Sequence, residues 1–404
     1  MKDIVIIANF CRDFSETDNG RFMYLCKELS KENKVEIITS DFEHSAKKHK
    51  EPLVHNWPFT ITLLHEKGYK NNISIQRFRS HYGWGKEVGK YLKKRKKPDV
   101  IYCAIPSLTA PLRAAKYCEK NNVRFIIDIQ DLWPEAFKMA FNIPIVSDVI
   151  FAPFNLYVNG IYKRADSICA VSQAYVSRAR SVNKKSKTSH VVFLGTSLET
   201  FDHNVKSASP VIQKENDNDI WLGYCGSLAA SYDIPCVLEA LRLIKEKGLI
   251  TPPKFVVMGD GAKKREFEDI ANKYKLDVVF LGKLEYDQMC AQLVQCDIVV
   301  NPIVKGSSAS IINKHGDYAS AGLPVLNTQD SKEYRRLVDK YHMGINCSNG
   351  DPNSLANSLL RLMNNNETRK SMGRNARKCA EKNFDRTNCY QELIKCIITE
   401  GNCL

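Results

Sequence analysis

The feature that most constrains this chain is an alternation that runs twice. The apolar runs Ile4–Ala8, Val35–Thr39, Asp99–Cys103, Phe125–Ile129, Ser167–Val171 and His190–Phe193 are separated by helix-like segments. One of these, Arg21–Glu32, carries Phe22, Leu25, Cys26 and Leu29 at helical spacing. Short apolar strands with helices between them bury both faces of a parallel sheet. A polar stretch from His203 to Asp219 has linker composition. The pattern then restarts with strands Ile220–Cys225, Phe255–Met258, Val278–Leu281, Ile298–Val300 and Val325–Asn327 and helices between them. The expected class is α/β, with two Rossmann-like doubly wound lobes facing a cleft. The first lobe spans 1–205, a linker 206–219 and the second lobe 220–386, with the terminal helix 387–404 packed back on the first. The 404 residues suit two domains of roughly 150–200 residues each.

Composition narrows the function. Hydrophobic residues make up 44% and charged residues 26%, as in a globular protein. No apolar run reaches the ~20 residues of a membrane span. The opening apolar run ends before Arg12 and Asp13. It is too short for a signal-peptide core of roughly 7–15 residues and reads as a buried strand. The 14 cysteines contain no C-x-x-C pair, which excludes zinc ribbons and thioredoxin-like motifs. So many unpaired thiols fit a reducing, cytoplasmic setting. The net charge of +14 admits nucleic acid, an anionic membrane or phosphorylated ligands as partners. The basic residues gather at Lys90 and Lys93–Lys97 and at Lys47, Lys48 and Lys50. Aromatic residues are not interleaved with them as a stacking platform requires, so no nucleic acid partner is expected. No clustered His, Cys or carboxylate ligands are legible, so no metal and no cofactor are expected.

The chemistry concentrates at strand ends. Gly306-Ser-Ser-Ala-Ser310 leads into a short helix closed by Gly322 and Pro324. Its N-terminus suits a phosphate. Lys314 and Asp317 lie three apart on one helix face. The cation suits a diphosphate and the carboxylate two ribose hydroxyls; the alternative is a surface ion pair. Gly226 and Ser227 follow a strand, and their backbone N–H groups can cradle phosphate. In the first lobe, Asn19 and Gly20 permit close backbone approach, and Arg21 either faces a ligand or starts a helix. Asp131 follows a buried strand in Ile126-Ile-Asp-Ile-Gln-Asp-Leu-Trp-Pro-Glu135. A carboxylate there is costly unless used or paired, the plain alternative being a helix cap.

Asp317-Tyr-Ala-Ser-Ala-Gly-Leu-Pro-Val-Leu326, preceded by Asn313-Lys314, resembles glycosyltransferase family 4 of the GT-B fold. Within that family, the Asn-Lys pair and Asp131-Leu-Trp-Pro-Glu135 resemble a bacterial surface-polysaccharide (O-antigen or capsule) subgroup. The resemblance implies a retaining transfer of sugar from a nucleotide diphosphate donor, UDP-sugar favoured. The implied acceptor is polyprenyl-diphosphate-linked, at an anionic membrane surface on the inner face of the plasma membrane. It implies donor contacts at Asn19, Gly20, Gly226, Ser227, Gly259, Lys283, Leu284, Lys314 and Asp317, and an acceptor or proton role for Asp131. The chain departs from the family at Ala309, where a Glu is usual, at Ser227, where an Arg is usual, and at Gln130, where a His is usual. Those departures keep an inactive transferase-like subunit open. A nucleotide-sugar epimerase on the same fold is disfavoured by the missing His.

Overall fold

The computed structural model describes residues 1–11, 14–15, 20–51, 56–72, 74–135, 144–216, 218–248, 253–306 and 311–399, with backbone alone for 144–151. The chain divides into two compact units, Met1–Leu194 with Cys389–Leu404, and Gly195–Asn388.

The first unit is built on seven strands: β1 (Asp3–Ile7), β2 (Lys34–Ser40), β5 (Thr60–Leu64), β6 (Val100–Ile105), β7 (Arg124–Ile129), β8 (Ser167–Ala170) and β9 (Thr188–Val191). All pair in parallel, in the order β5-β2-β1-β6-β7-β8-β9. A small antiparallel hairpin, β3 (Phe42–Glu43) and β4 (Lys48–His49), stands outside that sheet. The second unit has six parallel strands: β10 (Trp221–Cys225), β11 (Lys254–Met258), β12 (Val278–Gly282), β13 (Ile298–Asn301), β14 (Val325–Asn327) and β15 (Gly344–Asn346). Their order is β12-β11-β10-β13-β14-β15. Counted from its own first strand, the second sheet runs 3-2-1-4-5-6, the Rossmann order, and the first runs the same with a seventh strand, β9, added at its far edge. The direction of winding reverses between β1 and β6 and between β10 and β13, and ligands bind at the carboxyl ends of strands there.

Two strands of the main sheets, and the small hairpin β3–β4, escaped the sequence pattern. β5 and β15 lie at the sheet edges, where one flank has no partner strand and the apolar signal is short. The stretch expected as a linker, 206–219, belongs to the second unit, and the division falls at Leu194/Gly195. Ser207 ends a helix, Leu198–Ser207. The Ile212 N–H donates to the Gln292 side chain at 2.9 Å, and Lys214 pairs with Asp297 at 2.7 Å. Polar composition reports exposure, not connectivity. The C-terminal helix Gln391–Ile398 lies in the first unit, where Leu393 and Ile397 join the core of Ile4, Ile6 and Val35.

The basic run is less free than its composition implies. Arg95 is largely buried and pairs with Asp3 and Glu36, each at 2.9 Å. Trp84 and Leu92, on the same helix Ile75–Lys94, are core residues. Lys93, Lys94, Lys96 and Lys97 remain exposed.

Arg21 neither faces a ligand nor simply opens a helix. It is buried, with its guanidinium bound to Asp128 at 2.9 and 3.0 Å. It also donates to the carbonyls of Val192 and Phe193 and to the Tyr390 hydroxyl. Burial alone would depress its pKa; Asp128 and Tyr390 reverse that and hold it well above its ordinary value. The first helix, β7, the end of β9 and the C-terminal segment thus meet at one cation. We expect Arg21→Met to destabilise the chain by about 3–5 kcal/mol, because Asp128 is left as an uncompensated buried charge. Arg21→Met/Asp128→Leu should recover most of that loss. Urea unfolding midpoints of the single and double variants check this.

Candidate functional site

In the second unit, β10 ends where the loops after β10 and β11 run backbone against backbone. The Gly226 N–H donates to the Met258 carbonyl at 3.0 Å and the Leu228 N–H to the Asp260 carbonyl at 2.9 Å. A Cβ on Gly259 would lie 1.8 Å from the Gly226 carbonyl oxygen, and one on Gly261 2.4 Å from that of Leu228. Gly226 itself has φ +141°, which side-chain-bearing residues rarely adopt. These glycines therefore let two loops touch. One expectation is corrected here: the Gly226 N–H is engaged by Met258 and cannot also cradle a phosphate. Ser227 is the exposed residue of the turn, and its carbonyl accepts from the Tyr224 hydroxyl at 2.7 Å.

Beneath this turn lies Lys314, on the helix Asn313–Ser320. It is 6% exposed, and its ammonium sits 4.1 Å from the Tyr224 ring centre and 4.0 Å from that of Tyr232. Among the described residues it has no hydrogen-bond partner. A Cβ on Gly226 would lie 2.9 Å from Lys314 Nζ, so only a glycine lets the turn approach the cation. Burial pulls its pKa down from 10.5 to about 7, opposed by the neighbouring Cys225. Two aromatic faces return about 2 kcal/mol of a desolvation cost of several kcal/mol. The expected alternative, a surface pair with Asp317, does not occur: the two side chains diverge. Asp317 is half-buried and accepts a hydrogen bond from the Tyr286 hydroxyl at 2.9 Å. Tyr286 also meets the Thr196 hydroxyl at 2.9 Å.

His315, between them, is a packing residue. It stacks on Tyr334 with ring centres 3.6 Å apart, and burial holds its pKa well below the usual range. Lys283 and Leu284 follow β12 after Gly282, with Lys283 exposed and Leu284 half-buried. Asn19 and the loop 307–310, including the Ala309 departure, lie outside the described residues. Gly20 is extended at φ −84°, a conformation open to any residue, so the permissiveness expected of it is not used.

The first unit gathers a polar cluster that sequence reasoning missed. Asp131 accepts from the Leu132 N–H at 2.9 Å and from the Trp133 indole at 3.2 Å. Burial raises its pKa, against those two bonds and Arg77. Arg77 lies over the Trp133 ring at 4.6 Å, and its Nε is buried without a partner. His81 stacks on Trp133 at 5.7 Å and has its pKa pushed down to about 3 by burial and by Arg77. Glu66 accepts from Asn9 and Ser80, both at 2.8 Å. His44, lowered to about 4 by burial and Lys47, meets the Tyr69 hydroxyl. The expected absence of histidine near Asp131 is thereby overturned. His44 comes from the segment between Ser40 and the helix Ile75–Lys94 and His81 from the first turns of that helix, where no motif was legible. One signal was present: the buried stripe Trp84, Val88, Leu92 continues toward the helix start as Arg77, Ser80 and His81 at the same spacing.

Residues 205–379 match the family described as Glycosyl transferases group 1. A curated relative from Methanocaldococcus jannaschii, "Uncharacterized glycosyltransferase MJ1069", is 22% identical over 58% of this chain and 59% of its own length. The likeness thus reaches over little more than half of either protein. Among solved structures, Anabaena Alr3699/HepE in complex with UDP and glucose superposes with TM-score 0.69 at 14% identity, covering 99% of this chain and 100% of that one. WaaG, a glycosyltransferase involved in lipopolysaccharide biosynthesis, gives TM-score 0.67 at 15% identity over 98% and 100%. At such identities the likeness establishes the fold, which is GT-B.

The unpaired ammonium makes a stability prediction. A lysine whose folded pKa is depressed binds fewer protons than the unfolded chain between about 7 and 10.5. Its penalty is absent above pH 10.5, grows as pH falls, and is complete below about 7. Lys314→Met should therefore raise the melting temperature of the ligand-free protein, most at and below neutral pH and least in alkali. Thermal melts across that range check the sign.

Proposed function

We propose that this chain is a retaining glycosyltransferase that moves a sugar from a nucleoside diphosphate donor, a UDP-sugar by preference, to a lipid-linked saccharide. The observation that carries the reading is Lys314: a buried cation, without a hydrogen-bond partner among the described residues, at the switch point of the unit that matches the glycosyltransferase family. A diphosphate is the anion that fits. Asp317, oriented by Tyr286, takes the ribose hydroxyls, while Ser227, Gly259, Lys283 and Leu284 border the nucleotide. In the transfer, the bond from the anomeric carbon to the diphosphate breaks and a bond to an acceptor hydroxyl forms on the same face. The acceptor proton is released, and charge growing on the leaving diphosphate is met by Lys314. Asp131, its pKa raised by burial, is assigned to acceptor positioning or proton handling, and Asn19 and Gly20 to the donor phosphates.

Isothermal titration with UDP is the direct test. Lys314→Met and Asp317→Ala should each weaken binding by about 1–3 kcal/mol. A bound diphosphate also restores the charged form of Lys314, so above neutral pH binding takes up a proton and affinity falls with rising pH. Titrations in buffers of different ionisation heat should show that uptake in wild type and not in Lys314→Met. Unchanged affinity in both variants sinks the assignment, as does a nucleotide sugar epimerised without acceptor, or a product of inverted anomeric configuration by NMR.

The acceptor reading places the first unit at the inner face of a bacterial plasma membrane, in surface-polysaccharide synthesis of the O-antigen or capsule kind. No helix among the described residues is long and apolar enough to cross a membrane. Support comes from the exposed Lys93, Lys94, Lys96 and Lys97 and from exposed Ile75, Tyr82, Leu156 and Tyr157 on two helices joined by the Phe78–Phe154 contact. Each lysine near an anionic leaflet contributes about 1 kcal/mol. Sedimentation with anionic liposomes should show binding at low salt that is lost at high salt and on changing those four lysines to Glu.

A further inference from the structure

We propose that Asp41, His49 and His65 form a site for a divalent transition metal, zinc by preference, which clasps the hairpin β3–β4 to the end of β5. The three residues come from separate segments: Asp41 follows β2, His49 ends β4 and His65 follows β5. Their donor atoms all lie within 4.8 Å of one another. Asp41 Oδ2 is 2.9 Å from His65 Nδ1, and Asp41 Oδ1 is 3.9 Å from His49 Nε2. The Glu66 carbonyl oxygen is 2.9 Å from that same His49 nitrogen, a hydrogen-bond contact in the tautomer that protonates it; with that nitrogen on the ion, the carbonyl is the candidate fourth donor. A tetrahedral zinc with bonds of about 2.0–2.1 Å spaces its ligands about 3.3 Å apart, and the three distances bracket that edge. The two imidazoles lie nearly parallel, at 10° with ring centres 5.5 Å apart.

Donor chemistry selects the ion. Two imidazoles with one carboxylate suit zinc, cobalt, nickel or copper rather than magnesium or calcium. The carboxylate is already oriented, since the Glu66 N–H donates to Asp41 Oδ1 at 2.8 Å. Without metal the cluster is an exposed His–Asp pair, an arrangement worth little to stability. The sequence expectation that no ligands cluster is corrected here, because the three are far apart in the chain and meet only through the sheet. The clasp has a consequence for the neighbouring polar cluster. The turn between β3 and β4 carries His44 and Lys47, both of which meet Tyr69. Metal binding fixes that turn.

The test uses the tag-free full chain and titrates Zn²⁺ by calorimetry and Co²⁺ by visible absorption at neutral pH. We expect one equivalent of zinc and the d–d bands of four-coordinate cobalt. His65→Ala and Asp41→Asn should each weaken uptake on the order of tenfold or more. His203→Ala, an exposed histidine of the other unit, should leave uptake unchanged. Hydrogen exchange over 42–49 should slow with zinc in wild type and not in the two variants, with circular dichroism confirming that both are folded. No saturable uptake by wild type, or uptake undiminished in both variants, overturns the proposal.

Discussion

A parallel sheet cannot stand with a face in water. Its strands are joined by crossover helices, which cover both faces and leave polar groups one place to converge, the carboxyl edge. In this protein that constraint acts in each unit separately, and both sheets have the same strand order about their first strand. Lys314 and the Gly226 turn stand at the edge of one sheet. Asp131 and the Arg77–His81 cluster stand at the edge of the other. The glycines at the ends of β10 and β11 follow from the same crowding: two loops leaving adjacent strands must pass within backbone contact.

Two buried cations show how one physical cost leads to different ends. Arg21 is paired with Asp128 and bonded to two carbonyls, so its charge is satisfied within the folded chain and serves assembly of the first unit. Lys314 is as deeply placed and has only two tyrosine faces. A buried charge left in that state costs stability that the two rings return only in part. The proposed donor site rests on this ammonium ahead of the motif residues around it.

Charge counted along the chain misled where it was read without burial. Arg95 sits inside the basic run, yet it closes a network with Asp3 and Glu36. Trp84, just ahead of the run on the same helix, is core. Conversely, His44, His81 and Glu66 looked like scattered polar residues and form one cluster with Tyr69, Arg77 and Trp133. Helix spacing continued through Arg77, Ser80 and His81, but polar residues on a buried stripe read as a break in it unless the partner face is known.

The sequence alone determined most of the strands and the parallel character of both sheets. Each of these rests on local periodicity or on residues a few positions apart, where side-chain spacing along one element is enough. The tertiary structure decided the rest. Arg21 and Asp128 are 107 positions apart, and Lys314 meets tyrosines over 80 positions away. Whether a charge is paired, caged or free is a property of what packs against it. That packing is set by strand order, which no local spacing encodes.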